Sequence, residues 1–341
     1  ETDVKALYDL LVNPKYLGVS KDNIRLLLGK PDGKRDGKLA NRKNILAGLD
    51  WLVKEDEQED VAIFIFIGQG GPVALNPTEL CYFAANTTIQ NRGKTAVDTE
   101  EVGKRLDRLK SRHFCAFLDV NFRGYEIKKG SKIPQASLST PPYKELLGDD
   151  GSKAHGALLG RSLFLATNGL RPSLDLKDHG LFTSVLLDGL KGQADREGYE
   201  PDGVVTLKEL TSFLSIRIRA LALAQKKSQT PFMLGDSNSR DPLTFNPEAR
   251  EKIQKQAEKL KALAKEKKID EETLKEGLSL LKIMPAVEEK QRLRKAYQEL
   301  LEKFDLAKLK KTRAEVAKAL KIDDPTAEEF AKKVKKKEKI L

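Results

Sequence analysis

The chain has 341 residues, 39% of them hydrophobic and 33% charged, and its 62 Lys and Arg outnumber 51 Asp and Glu for a net charge of +11. That length allows two domains, and charge so far above the globular norm calls for a compact part joined to a charged helical part. Two cysteines, no CxxC pair and no apolar run of bilayer length exclude a disulfide framework, a zinc site and a membrane-spanning helix as readings of this sequence.

The charge is unevenly spread. From Pro247 onward there are 27 Lys and Arg against 19 Asp and Glu, so most of the excess lies in the last stretch and the body before it is nearly neutral. No signal-like segment is visible, and nothing in the sequence assigns a compartment.

In chain order, Asp3 to Val12 carries Val4, Leu7, Tyr8, Leu10 and Leu11 at helical spacing. Asn23 to Leu28 reads as a short strand ended by Gly29 and Pro31, and a polar loop follows from Asp32 to Lys38. Asn41 to Glu55 is an amphipathic helix with Ile45, Leu46, Leu49 and Leu52 inward and Trp51 at its edge. Two runs then stand out, Asp60 to Gly71 and Phe114 to Gly124. Each is rich in β-branched and aromatic residues, apolar on both faces and halted by a glycine turn, the pattern of a buried strand in a parallel or mixed sheet. The strand–helix–strand alternation predicts a right-handed crossover onto Val61–Ile67. Loops leaving the carboxyl ends of such strands build the sites of open α/β sheets, which puts Gln69 and Asn121 where chemistry is expected.

Leu80 to Ala85 is the next strand, and Thr99 to Ser111 a helix opened by Thr-Glu-Glu. Tyr125 to Gly156 is long and aperiodic. A solvated loop is the better reading for it, although Arg123, Lys128, Lys129 and Lys132 offer processing sites. Ser162 to Thr167 is a strand, with Asn168 to Asp175 as its outgoing loop. His179 to Gly192 and Leu207 to about Ala224 are helical. The acids between Asp195 and Asp202 lack the spacing of a calcium loop and read as a polar turn. From Asn246 the character changes. Ile253, Ala257, Leu260 and Ala264 trace one helical face, Leu293, Tyr297, Leu300 and Phe304 a second, and Leu306, Leu309, Val316 and Leu320 a third. Breaks near Asp270, Pro285 and Pro325 separate them, and a basic tail runs from Lys332 to Lys339. The predicted division is therefore a domain over 1–245 and a basic helical extension over 246–341.

The two strand ends carry a family resemblance. In the caspase and metacaspase superfamily of cysteine peptidases, one strand ends in Ser-Gly-His-Gly and another in Asp-x-Cys-x-Ser-Gly. Gly68, Gly70, Gly71, Asp119 and Gly124 match these patterns, while Gln69 stands at the His position and Asn121 at the Cys position. Arg171-Pro172-Ser173-Leu174-Asp175 resembles the family's substrate loop. The Gly180-Leu181-Phe182-Thr183 helix, the Val205-Thr206-Leu207-Lys208-Glu209-Leu210 turn and Gln229-Thr230-Pro231 resemble its later elements, so the likeness covers about residues 1 to 245. The family's opening strand, which precedes its first helix, has no counterpart here. The expectation is that upstream residues supply it or that the sheet is built differently.

The resemblance implies an α/β fold, a caspase-like three-layer sandwich with a mostly parallel central sheet, followed by an all-α charged extension. It also implies a substrate-pocket remnant at Asp119, Gly68, Gly70, Arg171, Ser173 and Asp175. Asp119 corresponds to the acid that recognises a basic side chain in metacaspases; here it either still favours Arg or Lys or only caps the turn.

The chemistry of the replaced pair is decisive. Glutamine has no titratable proton near neutrality and cannot act as a general base, and asparagine is a poor nucleophile. Cys81 and Cys115 fall inside apolar strands and read as buried, inert thiols. His113, His155 and His179 read as surface or core-satisfied histidines. An amide–amide hydrogen bond between Gln69 and Asn121, replacing the dyad and holding the old cleft closed, is the structural expectation. The functional expectation is a pseudoprotease that binds a protein or peptide partner without cutting it, with no metal and no cofactor. A divergent hydrolase acting on Arg or Lys peptides is the alternative from the enzyme class. Binding of nucleic acid or an anionic surface through the basic helices is the weaker third reading, because Lys and Glu are interspersed and no nucleic-acid motif appears.

Overall fold

The computed structural model describes residues 1–111, 113–124, 160–167, 173–196, 201–235 and 242–281. All of them belong to a compact unit that runs from Glu1 to Ile283. The elements are α1 (Thr2–Val12), β1 (Leu27–Leu28), β2 (Lys38–Leu39), α2 (Arg42–Glu55), β3 (Val61–Val73), β4 (Asn76–Tyr82), the one-turn α3 (Arg92–Thr95), β5 (Val97–Asp98), α4 (Thr99–Leu106) and β6 (His113–Asn121). They continue with β7 (Arg161–Leu165), α5 (Leu181–Asp188), β8 (Val204–Thr206), α6 (Leu207–Ala224), β9 (Phe232–Gly235), β10 (Pro242–Phe245), α7 (Pro247–Lys265) and α8 (Glu271–Leu280).

The main sheet has six strands in the order β5-β4-β3-β6-β7-β9. Its three central strands, β3, β6 and β7, run parallel and carry most of the paired residues; β4, β5 and β9 add antiparallel edges. The result is a mixed α/β architecture with helices on both faces. Period-two alternation sorts the side chains. Ala62, Phe64 and Phe66 of β3 join Phe114, Ala116 and Leu118 of β6 in a core that includes Ile45, Leu49 and Val53 of α2 and Val102 and Leu106 of α4. Ile63, Ile65 and Ile67 join Cys115 and Phe117 on the opposite face, against Leu7 and Leu10 of α1 and the buried stripes of α5 and α6.

The helix ends follow the local chemistry. Asn41 caps α2 by accepting from Asn44 N–H at 2.8 Å. Thr206 and Glu209 close a reciprocal capping box on α6. Helix α4 is shorter than its expected span to Ser111, because Asp107 starts a turn that delivers the chain to β6. There the buried Asp56 carboxylate, at the end of α2, accepts from the N–H groups of Lys110 and Ser111.

The glycine run 68–71 does not halt β3. The strand continues to Val73, and the turn comes at Ala74, whose φ is 47°. The requirement for glycine lies elsewhere: a Cβ on Gly70 would stand 2.4 Å from the Phe122 ring and 2.7 Å from the Cys81 carbonyl. Gly70 is glycine to admit that ring. A Cβ on Gly68 would meet only the Phe66 ring, at 3.4 Å.

The hairpin tip is held by a buried cation. Arg92 donates to the carbonyls of Pro72, Ile89 and Ala74. Charge-assisted bonds of this kind contribute about 1.5–3 kcal/mol each, and their loss strands carbonyls away from water. We expect Arg92→Met, which keeps the apolar stem, to lose about 2–4 kcal/mol in urea denaturation. A loss under 0.5 kcal/mol would show that the tip is held by backbone pairing alone.

The expected boundary at Phe245 is the start of a helix that packs on the body. Asn246 caps α7, its amide donates to Asp195 at 3.0 Å, and its N–H donates to Gly203. Gly192, with φ 113°, leaves the space that the Asn246 side chain occupies. Arg250 lies over the Phe245 ring at 4.1 Å, and Ala249 and Ala257 are buried. The break at Asp270 is present, with Asp270 accepting from Thr273 N–H at 2.7 Å before α8. The later helical faces and the basic tail lie outside the described residues, as does the loop 125–156.

Candidate functional site

From Ile63 and Cys115 onward the odd-numbered face of β3 and β6 is apolar until the carboxyl end of the sheet, where it turns polar. Ile63, Ile65 and Ile67 lead to Gln69, and Cys115 and Phe117 lead to Asp119 and Asn121. Parallel register sets Ile67 beside Asp119 and Gln69 beside Asn121. Gln69 and Asn121 are therefore immediate neighbours on adjacent strands, and Asp119 shares their face.

The expected hydrogen bond between the two carboxamides is absent. Asn121 turns onto its own loop: its Oδ1 accepts from Arg123 N–H at 3.0 Å, and a Cβ on Gly124 would meet its Nδ2 at 2.3 Å. Short asparagine side chains favour such local bonds at strand exits. Gln69 is exposed and projects from the point where β3 leaves β6 for β4; its carbonyl accepts from Phe83 N–H. The site is not latched by this pair.

Asp119 is the buried member of the group, 8% exposed. Burial pushes its carboxyl up to about 6, opposed by hydrogen bonds from the Ser173 N–H and hydroxyl and reinforced by the negative charges of Asp3 and Asp175. No Lys or Arg among the described residues pairs with it. Ser173 is held in turn: its Oγ accepts from Phe182 N–H at 3.1 Å and from Gln229 Nε2 at 3.0 Å. The Gln229 amide also donates to the Ala166 carbonyl and accepts from Leu174 N–H, so this buried residue pins the loop to the exit of β7.

Asp3, in the first turn of α1, closes the other side. Its carboxylate meets His179 Nδ1 at 2.6 Å and accepts from Gly180 N–H at 3.3 Å. A Cβ on Gly180 would stand 3.5 Å from both the Asp119 and the Asp3 carboxylates. Asp175 pairs with Gly180 in an isolated bridge that shapes the same loop. Three acids thus converge at one end of the sheet. Of the sequence candidates, Gln69, Asn121, Asp119, Gly68, Gly70, Ser173 and Asp175 are gathered here, and Arg171 lies outside the described residues. Asp3, His179 and Gln229 belong to the site but were not singled out for it. Asp3 sits on a helix whose apolar stripe dominates its reading, and a buried glutamine carries no sequence mark.

The remaining nucleophiles are remote or inert. Cys81 and Cys115 are free and buried. Burial pushes the Cys81 thiol up to about 12 and raises Cys115 well above its ordinary value, so neither supplies a thiolate near neutral pH. Under native conditions we expect iodoacetamide to leave both unmodified, with mass spectrometry as the readout; rapid labelling of either would contradict their burial. His179 is occupied by Asp3, and His155 is outside the described residues. The Asp195 carboxylate accepts from the N–H groups of Asp202 and Gly203, so it fastens the turn that the sequence suggested. Among the described residues no cluster has the make-up of a metal site, and no helix is long and apolar enough to cross a membrane.

No family model and no curated protein matches the chain. Among solved structures, a crystal structure of protein GSU0716 from Geobacter sulfurreducens matches with a TM-score of 0.35 at 14% identity, over 57% of this chain and 73% of that one. A likeness of that size transfers neither a fold nor an activity.

Proposed function

We propose that this protein is a caspase-like scaffold without a catalyst, which holds an Arg or Lys side chain of a peptide or protein partner at Asp119 and does not cut it. The observation that carries this reading is a buried carboxylate, ionised at neutral pH, flanked by Asp3 and Asp175 and free of a cationic partner among the described residues. A buried charge without a partner is costly, and a guanidinium or ammonium brought by a ligand repays that cost. The carboxamides at Gln69 and Asn121 supply hydrogen-bond donors and acceptors beside it, no thiolate lies there among the described residues, and the imidazole of His179 is engaged by Asp3.

The test is fluorescence anisotropy with labelled peptides ending in Arg, Lys or Gln, followed by mass spectrometry of the recovered peptide. We expect at least a ten-fold preference for the basic peptides at pH 7.5, intact peptide after prolonged incubation, and weaker binding as pH falls through about 6 and Asp119 takes up its proton. Equal affinity for the Gln peptide, or cleavage after Arg or Lys, would overturn the reading.

A further inference from the structure

Helix α6 carries two apolar stripes where a surface helix needs one. Leu210, Leu214, Ile218 and Ala222 form the first, fully buried in the core that α6 shares with α5 and β6. The second points outward. Ile216 is 71% exposed and Leu223 70%, the highest values among the large apolar side chains of the described residues, and the exposed Ala220 lies between them. Single apolar residues on a surface need no explanation. A row of them over two turns does, on a helix whose other face already fills the core.

The spacing of the row is that of a helix seam. Ala220 lies four positions after Ile216, and Leu223 three after Ala220. That alternation keeps a row in line with a second helix laid along it. Phe213, three positions before Ile216, continues the row to the point where it meets the body. It is half-buried, and a Cβ on Gly189 would stand 3.1 Å from its ring. Ala220 is the small member of the row, so it leaves a hollow between two larger side chains into which a partner's side chain can insert.

The borders of the row carry one sign of charge. Arg217 stands on one side and Arg219 on the other, both exposed, and Lys226 and Lys227 follow at the helix end. On α4 and α7 surface cations meet an acid one turn away, as in Lys104–Glu100, Arg105–Glu101 and Lys255–Glu251. No acid stands three or four positions from Arg217 or Arg219, and neither is in an ion pair among the described residues. The one acid of α6, Glu209, is buried in the capping box.

We propose that this face of α6 is an interaction surface for an acidic amphipathic helix of a partner protein, with apolar residues at the same spacing and Glu or Asp on both borders. Charge selects that occupant. A second copy of this face would set its own arginines against these, with repulsion along both borders. A bilayer would take up Ile216 and Leu223 but gain little from Ala220. An acidic helix covers the row, fills the hollow and pairs both arginines with carboxylates. The contact uses no residue of the Asp119 site, and its partner brings acids where Asp119 takes a basic side chain.

The test is fluorescence anisotropy on the full chain with two labelled four-heptad peptides, identical in their Leu and Ile seam and carrying Glu or Lys on the flanks, at about 0.1 M salt. The Glu peptide should bind at least ten-fold more tightly than the Lys peptide. Ile216→Ser with Leu223→Ser should weaken the Glu peptide at least ten-fold, and Arg217→Glu with Arg219→Glu should reverse the order of the two peptides. All four positions face solvent, so both variants should unfold near the wild-type temperature. Asp119→Asn should leave these affinities unchanged. Glu-peptide binding that survives the serine pair would mean attraction by basic residues elsewhere in the chain, and equal affinity for the two peptides would mean that charge does not choose the partner. A dimer in light scattering that the serine pair dissolves would assign the face to a second copy. Binding to vesicles with about a third phosphatidylserine, abolished by the serine pair and unaccompanied by peptide binding, would assign it to a bilayer. Each of these four results overturns the proposal.

Discussion

Asp119→Asn is expected to weaken binding of Arg-terminated peptides at least ten-fold at pH 7.5 and, in the same protein, to raise the unfolding temperature. The two effects have one origin. Burial raises the Asp119 carboxyl from 3.8 to about 6, so the native state prefers the protonated form more strongly than the unfolded chain does. A raised carboxyl works against folding once it is ionised: wild-type stability is complete below the unfolded value near 3.8 and declines as pH rises through about 6. The interval corresponds to roughly 3 kcal/mol at neutral pH. An amide carries no such penalty and keeps an oxygen for the Ser173 N–H. Asp119→Asn should therefore be about 1–3 kcal/mol more stable at pH 7.5, with the difference vanishing near pH 4. Denaturant titrations of both proteins across that range, paired with anisotropy, decide the matter. A gain in stability with unchanged peptide affinity would reduce Asp119 to a cap for the Ser173 loop. A loss of affinity with no pH-dependent gain would mean that its burial costs nothing.

How far the sequence prescribes this arrangement depends on the range of the interaction. Helices α1, α2 and α6 are legible because each writes its buried stripe in residues three and four apart, and the capping pair Thr206 and Glu209 sits within one turn. Strands β3 and β6 are legible as apolar runs, and their register follows from parallel alignment of the two. The misreadings concern contacts made far along the chain. Gly70 resembles a turn residue, but what demands glycine there is the ring of Phe122, fifty-two positions later. Asn121 was expected to reach across to Gln69, and instead its short side chain finds the N–H of Arg123 two residues away. The half-buried state of Ile63, Ile65 and Ile67 is equally invisible in their composition, since apolarity records what a strand prefers and not what lies beside it. Gln229 shows the same limit from the other side, because a buried amide that ties three residues together looks like any polar residue in a loop.

On the proposed caspase-like reading, placing a histidine at position 69 and a cysteine at position 121 should produce a large change in activity. The register that pairs Gln69 with Asn121 puts a histidine and a cysteine on neighbouring strands about 4.8 Å apart in the sheet, on one face. That is within reach for an imidazole to take a thiol proton. Gln69→His with Asn121→Cys is expected to hydrolyse Arg-terminated fluorogenic peptides at least a hundred-fold faster than either single variant, because nucleophile and base act as a unit and one without the other recovers little. The double variant should also react with iodoacetamide at position 121 far faster than Asn121→Cys alone, since an adjacent imidazole increases the thiolate fraction. Adding Asp119→Asn to it should remove turnover of the Arg peptide while leaving that labelling intact, which separates the binding of the basic side chain from the chemistry. Asn121→Cys also gives up the bond to Arg123 N–H, so a small loss of stability, about 0.5–1.5 kcal/mol, should accompany the gain. A folded double variant that labels rapidly and never turns over would mean that the strands present a working dyad but do not align a peptide carbonyl with it. One that neither labels nor turns over would mean that this end of the sheet lacks the geometry of a peptidase.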